Sequence, residues 1–405
     1  MKYDTIAPKV KYIGVDDLDI DLFEGQYEVP LGISYNSYLI LDEKIAIMDT
    51  VDATKTAEWE KNLEAALGGK TPDYLIVQHL EPDHGGSVQY ILEKYPNMIA
   101  VCSQKAVAMF KRYFETDFSS RIQVVKEGDT LSLGQHTLQF LMAPMIHWPE
   151  VMMTYDQKNK ILFSADAFGK FGALCKEEED PEHEQSDLNA PSGEGHSGWA
   201  CEARRYYFNI VGKYGAMVQN LLKKTNALDI QQICPLHGPV LSDDLCYYIG
   251  LYDTWSKYEP ETQGIFIAYC SLHGNTAKAA HALADILKAK SDVKVSIADI
   301  ARDDLHECVE DAFRYDRMVL CAPTYDGGIM PIMEDFINHL RIKTYQNRKV
   351  AFVDNGTWAP VAGKKMREQM EAMKNITIIE PMVTVESTVK AKTIEDLTVL
   401  AEALL

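Results

Sequence analysis

The sequence contains no Cys-x-x-Cys pair. Its eight cysteines stand singly at 102, 175, 201, 234, 246, 270, 308 and 321. Their spacing argues against a structural zinc site, a thiolate metal module or a disulfide scaffold. Cys270 and Cys321 lie inside apolar runs and read as small core residues. No apolar run approaches transmembrane length, so no membrane partner is expected. The start, Met1-Lys2-Tyr3-Asp4, lacks the apolar stretch of a signal peptide, which makes the cytoplasm the expected compartment. Positive charge is scarce: 40 Lys and Arg face 60 Asp and Glu, a formal charge of −20. Phosphate backbones would be repelled, which argues against nucleic acid. A Walker lysine is missing, which disfavours nucleoside triphosphates. The missing Gly-x-Gly-x-x-Gly weakens a dinucleotide reading.

What is there fits an ordinary soluble chain of two or three domains: 405 residues, 46% hydrophobic and 25% charged. Residues 9–50 alternate like a β-rich meander, with a hairpin of Ser37–Leu41 and Lys44–Met48. Thr54–Leu67 reads as a helix capped by Thr54 and ended by Gly68-Gly69. Strand Tyr74–Val77, helix 86–95, strand Met98–Cys102, helix 104–115 and strand Arg121–Val125 follow. Four more strands are expected at Thr130–Leu133, His136–Met142, Val151–Tyr155 and Lys160–Phe163. A further strand spans Ile230–Cys234, between helices 200–224 and 241–256. Residues 176–198 are acidic and then rich in Ser, Gly and Pro, so they read as a surface loop with His183 and His196 exposed. From Ile265 strands Ile265–Cys270, Val293–Ile297, Met318–Cys321, Val350–Val353 and Ile376–Ile379 alternate with helices to the end of the sequence, as in a doubly wound parallel sheet. Two domains result, 1–258 and 259–405.

The densest chemistry is the turn Gln78-His79-Leu80-Glu81-Pro82-Asp83-His84-Gly85-Gly86, directly after strand Tyr74–Val77. A turn can aim adjacent side chains at one point, and carboxylates at this density are costly without a cation. His147, Asp166 and His237 each fall just past a predicted strand, where loops carry function. The set holds three carboxylates and four imidazoles. Asp166, with two oxygens, can bridge two cations, and two divalent ions would nearly neutralise the site. The lack of thiolates disfavours copper(I) and iron–sulfur clusters; mixed carboxylate and imidazole suits iron, manganese or zinc. Singly, each of the three downstream residues also has a packing or capping role open to it.

A second constellation opens the second domain. Ser271-Leu272-His273-Gly274-Asn275-Thr276 joins a strand end to a helix start, offering N–H groups and hydroxyls to a phosphate. Pro323-Thr324-Tyr325-Asp326-Gly327-Gly328 and Asn355-Gly356-Thr357-Trp358-Ala359-Pro360 follow the third and fourth strands. In a 2-1-3-4-5 sheet these loops surround the switch point between strands one and three.

The first motif resembles the His-x-His-x-Asp-His of the metallo-β-lactamase superfamily, with Glu81 in place of the second histidine. That departure is similar to the flavodiiron proteins, also called A-type flavoproteins. The three later loops resemble those that hold FMN in flavodoxins. The resemblance covers nearly the whole chain: a metallo-β-lactamase-like αβ/βα sandwich, then a flavodoxin-like α/β domain. It implies one iron on His79, Glu81, His147 and Asp166, and a second on Asp83, His84, His237 and shared Asp166. In related proteins His84 coordinates in some and swings away in others. It implies reduction of dioxygen to water or of nitric oxide to nitrous oxide, with FMN relaying electrons. The donor is expected to be separate: rubredoxin, a flavin reductase or reduced coenzyme F420. A head-to-tail homodimer, or a dimer of such dimers, is implied too. Two other classes compete: a zinc-dependent hydrolase with an accessory flavin domain, and a non-enzymatic FMN electron carrier. Glu81 and the fused flavin domain argue against the first, and the full ligand set against the second.

Overall fold

The structure, a computed structural model, describes residues 4–176 and 199–405; His183, His196 and the rest of the 177–198 stretch lie outside the described residues. The chain divides into two compact units, Met1–Tyr207 with Ala216–Tyr252, and Phe208–Gly215 with Asp253–Leu405.

The first unit holds two facing sheets. One has seven strands in the order Thr5–Ala7, Val10–Tyr12, Tyr38–Leu41, Ile45–Met48, Tyr74–Val77, Ile99–Ser103, Ile122–Val125. The other has five, Thr130–Ser132, Thr137–Met142, Met152–Asp156, Ile161–Phe163 and Gln232–Cys234. Alternate residues of both, such as Ile40, Met48, Ile76 and Val101 against Phe140, Met152, Ile161 and Phe163, fill one shared core. The period of two in the sequence puts these side chains on one face. Strands Ile45–Met48, Tyr74–Val77 and Ile99–Ser103 run parallel, so their carboxyl ends share a rim.

Asp42 ties the two sheets together from the hairpin turn. Its carboxylate accepts from Gln135 N (2.7 Å), His136 N (2.7 Å), His136 Nδ1 (2.9 Å) and Lys9 Nζ (3.0 Å). Burial alone would raise its pKa; these donors outweigh burial and hold the carboxyl well below the usual range.

Several expected elements differ. The helix expected from Thr54 begins as a 3-10 turn, Ala53–Lys55, and Asp52, not Thr54, accepts the capping hydrogen bond. The helix expected over 86–95 is Val88–Lys94, and a separate turn of helix, Pro82–Gly85, precedes it, so part of the metal-like turn is itself helical. Pro82 at the first helical position lacks an N–H that would go unsatisfied there, and its fixed φ suits the start. The single helix expected over 200–224 is Trp199–Tyr206, a π-helical Tyr207–Val211, a 3-10 turn Gly212–Tyr214 and Gly215–Thr225.

The second unit carries a parallel sheet in the order Lys294–Asp299, Thr262–Tyr269, Tyr315–Tyr325, Lys349–Asn355, followed by Thr377–Ile378 and Val383–Val385. This is the 2-1-3-4-5 order, with strand five in two pieces of which the sequence reading found one. Helices Asn275–Lys290 and Ala391–Leu404 pack Leu283, Leu287, Leu397 and Leu400 onto one face.

Asp42→Asn leaves buried donors short of a charged acceptor and is expected to cost about 1–3 kcal/mol. A depressed pKa means the stabilisation is full above the unfolded value, about pH 4, and fades as pH falls through the folded value. The gap in thermal midpoint between wild type and variant should therefore stay constant from about pH 8 to pH 5 and narrow only below about pH 4. A gap that closes by pH 6 contradicts this account.

Candidate metal centre and flavin cavity

The Tyr74–Val77 strand delivers Gln78 and His79 to the rim of the first sheet. Asp49, just past its neighbouring strand, accepts from Gln78 N (2.7 Å), Gln78 Nε2 (2.8 Å) and His79 N (3.3 Å). Full burial pushes its pKa up to about 6 against those hydrogen bonds. The chain then turns at Pro82. A Cβ on Gly86 would lie 2.6 Å from Ala53 N and from Pro82 O, so only glycine lets the turn pack this closely. The turns after Thr137–Met142, Ile161–Phe163 and Gln232–Cys234 bring in His147, Asp166 and His237.

All seven predicted residues converge, in two groups. His79, Glu81, His147 and Asp166 each put a donor atom within 4.8 Å of the others, and so do Asp83, His84 and His237. Glu81 Oε2 is 3.2 Å from His79 Nε2 and 2.9 Å from His147 Nε2. Asp166 Oδ2 is 3.2 Å from both of those nitrogens. Its other oxygen turns to the second group, 3.2 Å from His84 Nε2 and 3.9 Å from His237 Nε2. Asp83 Oδ2 is 3.2 Å from His84 Nε2 and 3.1 Å from His237 Nε2, and those two nitrogens are 3.1 Å apart. Donors about 2.1 Å from one ion and at right angles lie about 3 Å apart, so these spacings match the edges a coordination polyhedron would have.

Hydrogen bonding fits the same reading. Both oxygens of Asp83 and both of Asp166 are buried without a hydrogen-bond partner. Buried carboxylates left so are costly unless a cation meets them. In its absence, protons compensate. Burial would depress the His79 imidazole, but Asp166, Glu150 and Glu81 push its pKa well above the usual histidine value. His147 is likewise raised to about 9 by Asp166 and Glu81 against burial. Asp166 is driven well below the carboxylate range, its burial outweighed by His79, His147 and His84. Two divalent cations in place of those protons would answer the same carboxylates.

Three of the four rings differ in how they are held from behind. His79 Nδ1 lies 2.8 Å from Glu150 Oε1, which also accepts from Leu80 N (3.0 Å). His237 Nδ1 donates to Ser34 O (2.7 Å), which leaves its Nε2 as a lone pair. His84 Nδ1 is buried with no partner, so no hydrogen bond holds that ring from behind. Glu150 and Asp49 escaped sequence reasoning. Asp49 stands at a strand end like the others and could have been found by that signal; Glu150 had none. Around His237 stand the rings of Phe23 (5.3 Å), Tyr206 (5.6 Å) and Tyr35 (6.1 Å), a largely apolar wall.

In the second unit the three predicted loops bound one cavity of about 610 Å³. Of the predicted residues, Ser271, His273, Asn275, Thr276, Pro323, Thr324, Asp326, Gly327, Asn355, Gly356, Thr357 and Trp358 line it. Gly274, Tyr325 and Gly328 do not. Gly274 instead has φ +82°, the turn that starts helix Asn275–Lys290. Leu272 and Ala359, which belong to the predicted loops but were not singled out as contacts, also line the cavity, and so does Ser387, which lies outside those loops. Ser271 Oγ is buried with no partner, at the N-terminal end of that 16-residue helix. Among the described residues no lysine or arginine lines the cavity. A phosphate here would be held by N–H groups and hydroxyls, as a flavin mononucleotide allows.

Comparison with known proteins agrees with both halves. Residues 33–238 match the ODP family of β-lactamases, and residues 266–378 match the flavodoxin domain family. A nitric oxide reductase of Moorella thermoacetica is 30% identical, over 94% of this chain and 93% of that protein. An uncharacterised protein of Methanocaldococcus jannaschii is 31% identical, over 89% and 87%. Among solved structures, the rubredoxin oxygen:oxidoreductase of Desulfovibrio gigas superposes with TM-score 0.88 at 25% identity, over 99% of this chain and 97% of that one. The flavodiiron protein of Giardia intestinalis, at 22% identity and TM-score 0.84, shares the fold.

Glu150→Ala removes the acceptor that orients His79. Metal retention should fall about 10–100-fold, as losses of such supporting carboxylates do. Metal content after dialysis against graded chelator measures it; retention equal to wild type would show that His79 does not need the support.

Proposed function

The chain belongs to the flavodiiron proteins, and from that premise we propose that it is an oxidoreductase reducing dioxygen to water, nitric oxide to nitrous oxide, or both. The observation that carries the reading is Asp166, whose two buried oxygens face the histidines of two different ligand groups. His79, Glu81, His147 and Asp166 would hold one iron, and Asp83, His84, His237 and Asp166 the other. The lining of the second cavity would hold FMN.

When bound, two ferrous ions and a fully reduced FMN together store four electrons, the number dioxygen needs to become two waters and twice what two nitric oxide molecules need. The rest is the work of this chain's residues. Asp166 and Glu81 supply anionic oxygens, which favour the oxidised state of iron more than a fourth neutral imidazole would. Glu150 and the Ser34 carbonyl lock His79 and His237 with the ligating nitrogen inward. Phe23, Tyr35 and Tyr206 leave little room for water on the His237 side. Dioxygen is the preferred substrate in this reading. The nitric oxide reductase among the relatives keeps the second reaction open.

Electrons arrive from a separate donor: rubredoxin, a flavin reductase or reduced coenzyme F420. The name of the Desulfovibrio gigas relative supports the first. No helix among the described residues is long and apolar enough to cross a membrane. Among the described residues no disulfide joins any of the eight cysteines, which suits a reducing cytoplasm. A head-to-tail homodimer would bring one chain's flavin to another chain's irons. The boundary at 258/259 would then divide two modules of separate chemistry.

Anaerobic single turnover of fully reduced, iron-loaded protein tests the activity. Water without released peroxide is the expected product with dioxygen, and nitrous oxide with nitric oxide. Reoxidation by both gases no faster than that of free FMN would overturn the assignment. Light scattering tests assembly: a mass of two chains, or a multiple of two, is expected. A monomer with undiminished turnover on dilution would rule out the head-to-tail dimer.

A further inference from the structure

The flavin cavity has a fourth wall. After strand Val383–Val385 the chain bends at Ser387, which has φ +69° and lines the cavity. Its hydroxyl is 3.0 Å from Thr357 Oγ1 on the loop after strand four. Its carbonyl is 3.4 Å from Asn355 Nδ2, and the same nitrogen is 3.3 Å from Thr276 Oγ1.

The carbonyl decides the chemistry of this chain of contacts. A backbone oxygen can only accept, so the Asn355 amide presents its NH2 here and not its oxygen. One amide hydrogen goes to Ser387 O and the other to Thr276 Oγ1. The Thr276 oxygen therefore accepts, and its single hydrogen stays free. Thr276 is buried in the first turn of helix Asn275–Lys290 and lines the cavity, beside the unpartnered Ser271 Oγ.

We propose that Asn355 is a positioning residue that sets the polarity of the phosphate site: held by the Ser387 carbonyl, it makes the Thr276 hydroxyl a donor to the FMN phosphate and so selects the phosphorylated flavin over riboflavin. The inference rests on the FMN reading of this cavity and adds to it a residue-level cause of specificity. It also explains how an anion would be bound where, among the described residues, no lysine or arginine lines the wall. Donors must point inward, and a hydroxyl whose oxygen is already engaged from behind is biased to donate into the cavity.

The full-length chain, stripped of flavin, is titrated with FMN and with riboflavin, and binding is read from quenching of flavin fluorescence. Asn355→Asp puts an acceptor behind Thr276, turns its hydroxyl away from the phosphate and adds a negative charge. FMN affinity should fall about 100-fold, the scale of a lost charge-assisted hydrogen bond, while riboflavin affinity changes less than about threefold. Ser387→Val, which disfavours positive φ, should displace the carbonyl and lower the FMN-to-riboflavin ratio about tenfold, whereas Ser387→Gly keeps the backbone and should lower it less. Riboflavin binding reports that each variant is folded. Equal loss of both flavins, or an unchanged ratio in both Asn355→Asp and Ser387→Val, overturns the relay. A wild-type chain that binds neither flavin overturns the FMN reading itself, and the relay with it.

Discussion

A buried carboxylate that faces four imidazoles and hydrogen-bonds to nothing sits at the centre of the first unit. Asp166 is fully enclosed, and its two oxygens point to different histidine groups. Such a residue is tolerable only if positive charge meets it, from protons or from metal. Much of the surrounding structure serves that requirement. Strands Tyr74–Val77, Thr137–Met142, Ile161–Phe163 and Gln232–Cys234 all end near this rim, and their turns supply the groups that answer Asp166. Glycine at 86 lets one turn come close enough to the next. Glu150, Ser34 and Asp49 then hold ring and backbone from behind, and these are atoms a cation cannot reach.

The residues that converge at the rim were legible because their signals are local. Histidine and acid packed into six residues after a buried strand is a rare pattern, and each later member of the set lay just past a strand that alternation identified. The supports were not legible. Glu150 acts on His79 across 71 positions and Ser34 on His237 across 203, and no periodicity links residues so far apart. The 200–224 region shows the same limit. Its apolar spacing is helical throughout, yet Phe208 stacks on Phe313 at 4.2 Å and Asn209 donates to His306 O at 3.1 Å. Those long-range contacts accompany a π-helical stretch at Tyr207–Val211 that spacing alone cannot foresee.

In the second unit, alternation of strand and helix pointed to a doubly wound parallel sheet, and the likeness of its loops to those of flavodoxins implied the strand order. Strand five was half seen. Thr377–Ile378 carries the apolar signal, but Val383–Val385 follows Pro381-Met382 and is only three residues long. Missing it hid the loop that carries Ser387, and with it the wall that closes the cavity beside Thr276. The glycines show the opposite error. Gly274 and Gly328 belong to the predicted loops yet do not line the cavity, because a loop needs some residues for its bend and others for its contacts, and a motif does not separate the two.

The two sites solve opposite electrostatic problems within a chain whose formal charge is −20. The metal centre gathers carboxylates that repel one another, and only cations make the arrangement favourable. The second cavity, read as the FMN site, would receive a phosphate, yet among the described residues no lysine or arginine lines it; orientation of neutral donors would take the place of charge. The difference follows from what each site must retain. A compact divalent ion rewards anionic oxygens at short range. A flavin phosphate held by N–H groups and hydroxyls pays less for desolvation of the protein side, since neutral donors are cheaper to bury than a lysine ammonium. That economy has a condition: neutral donors help only when each hydrogen is aimed. A lysine tolerates a misplaced neighbour, whereas Thr276 depends on the amide behind it, and that amide on a carbonyl in a residue with positive φ. Specificity in such a site is therefore carried as much by the residues that turn the donors as by the donors themselves.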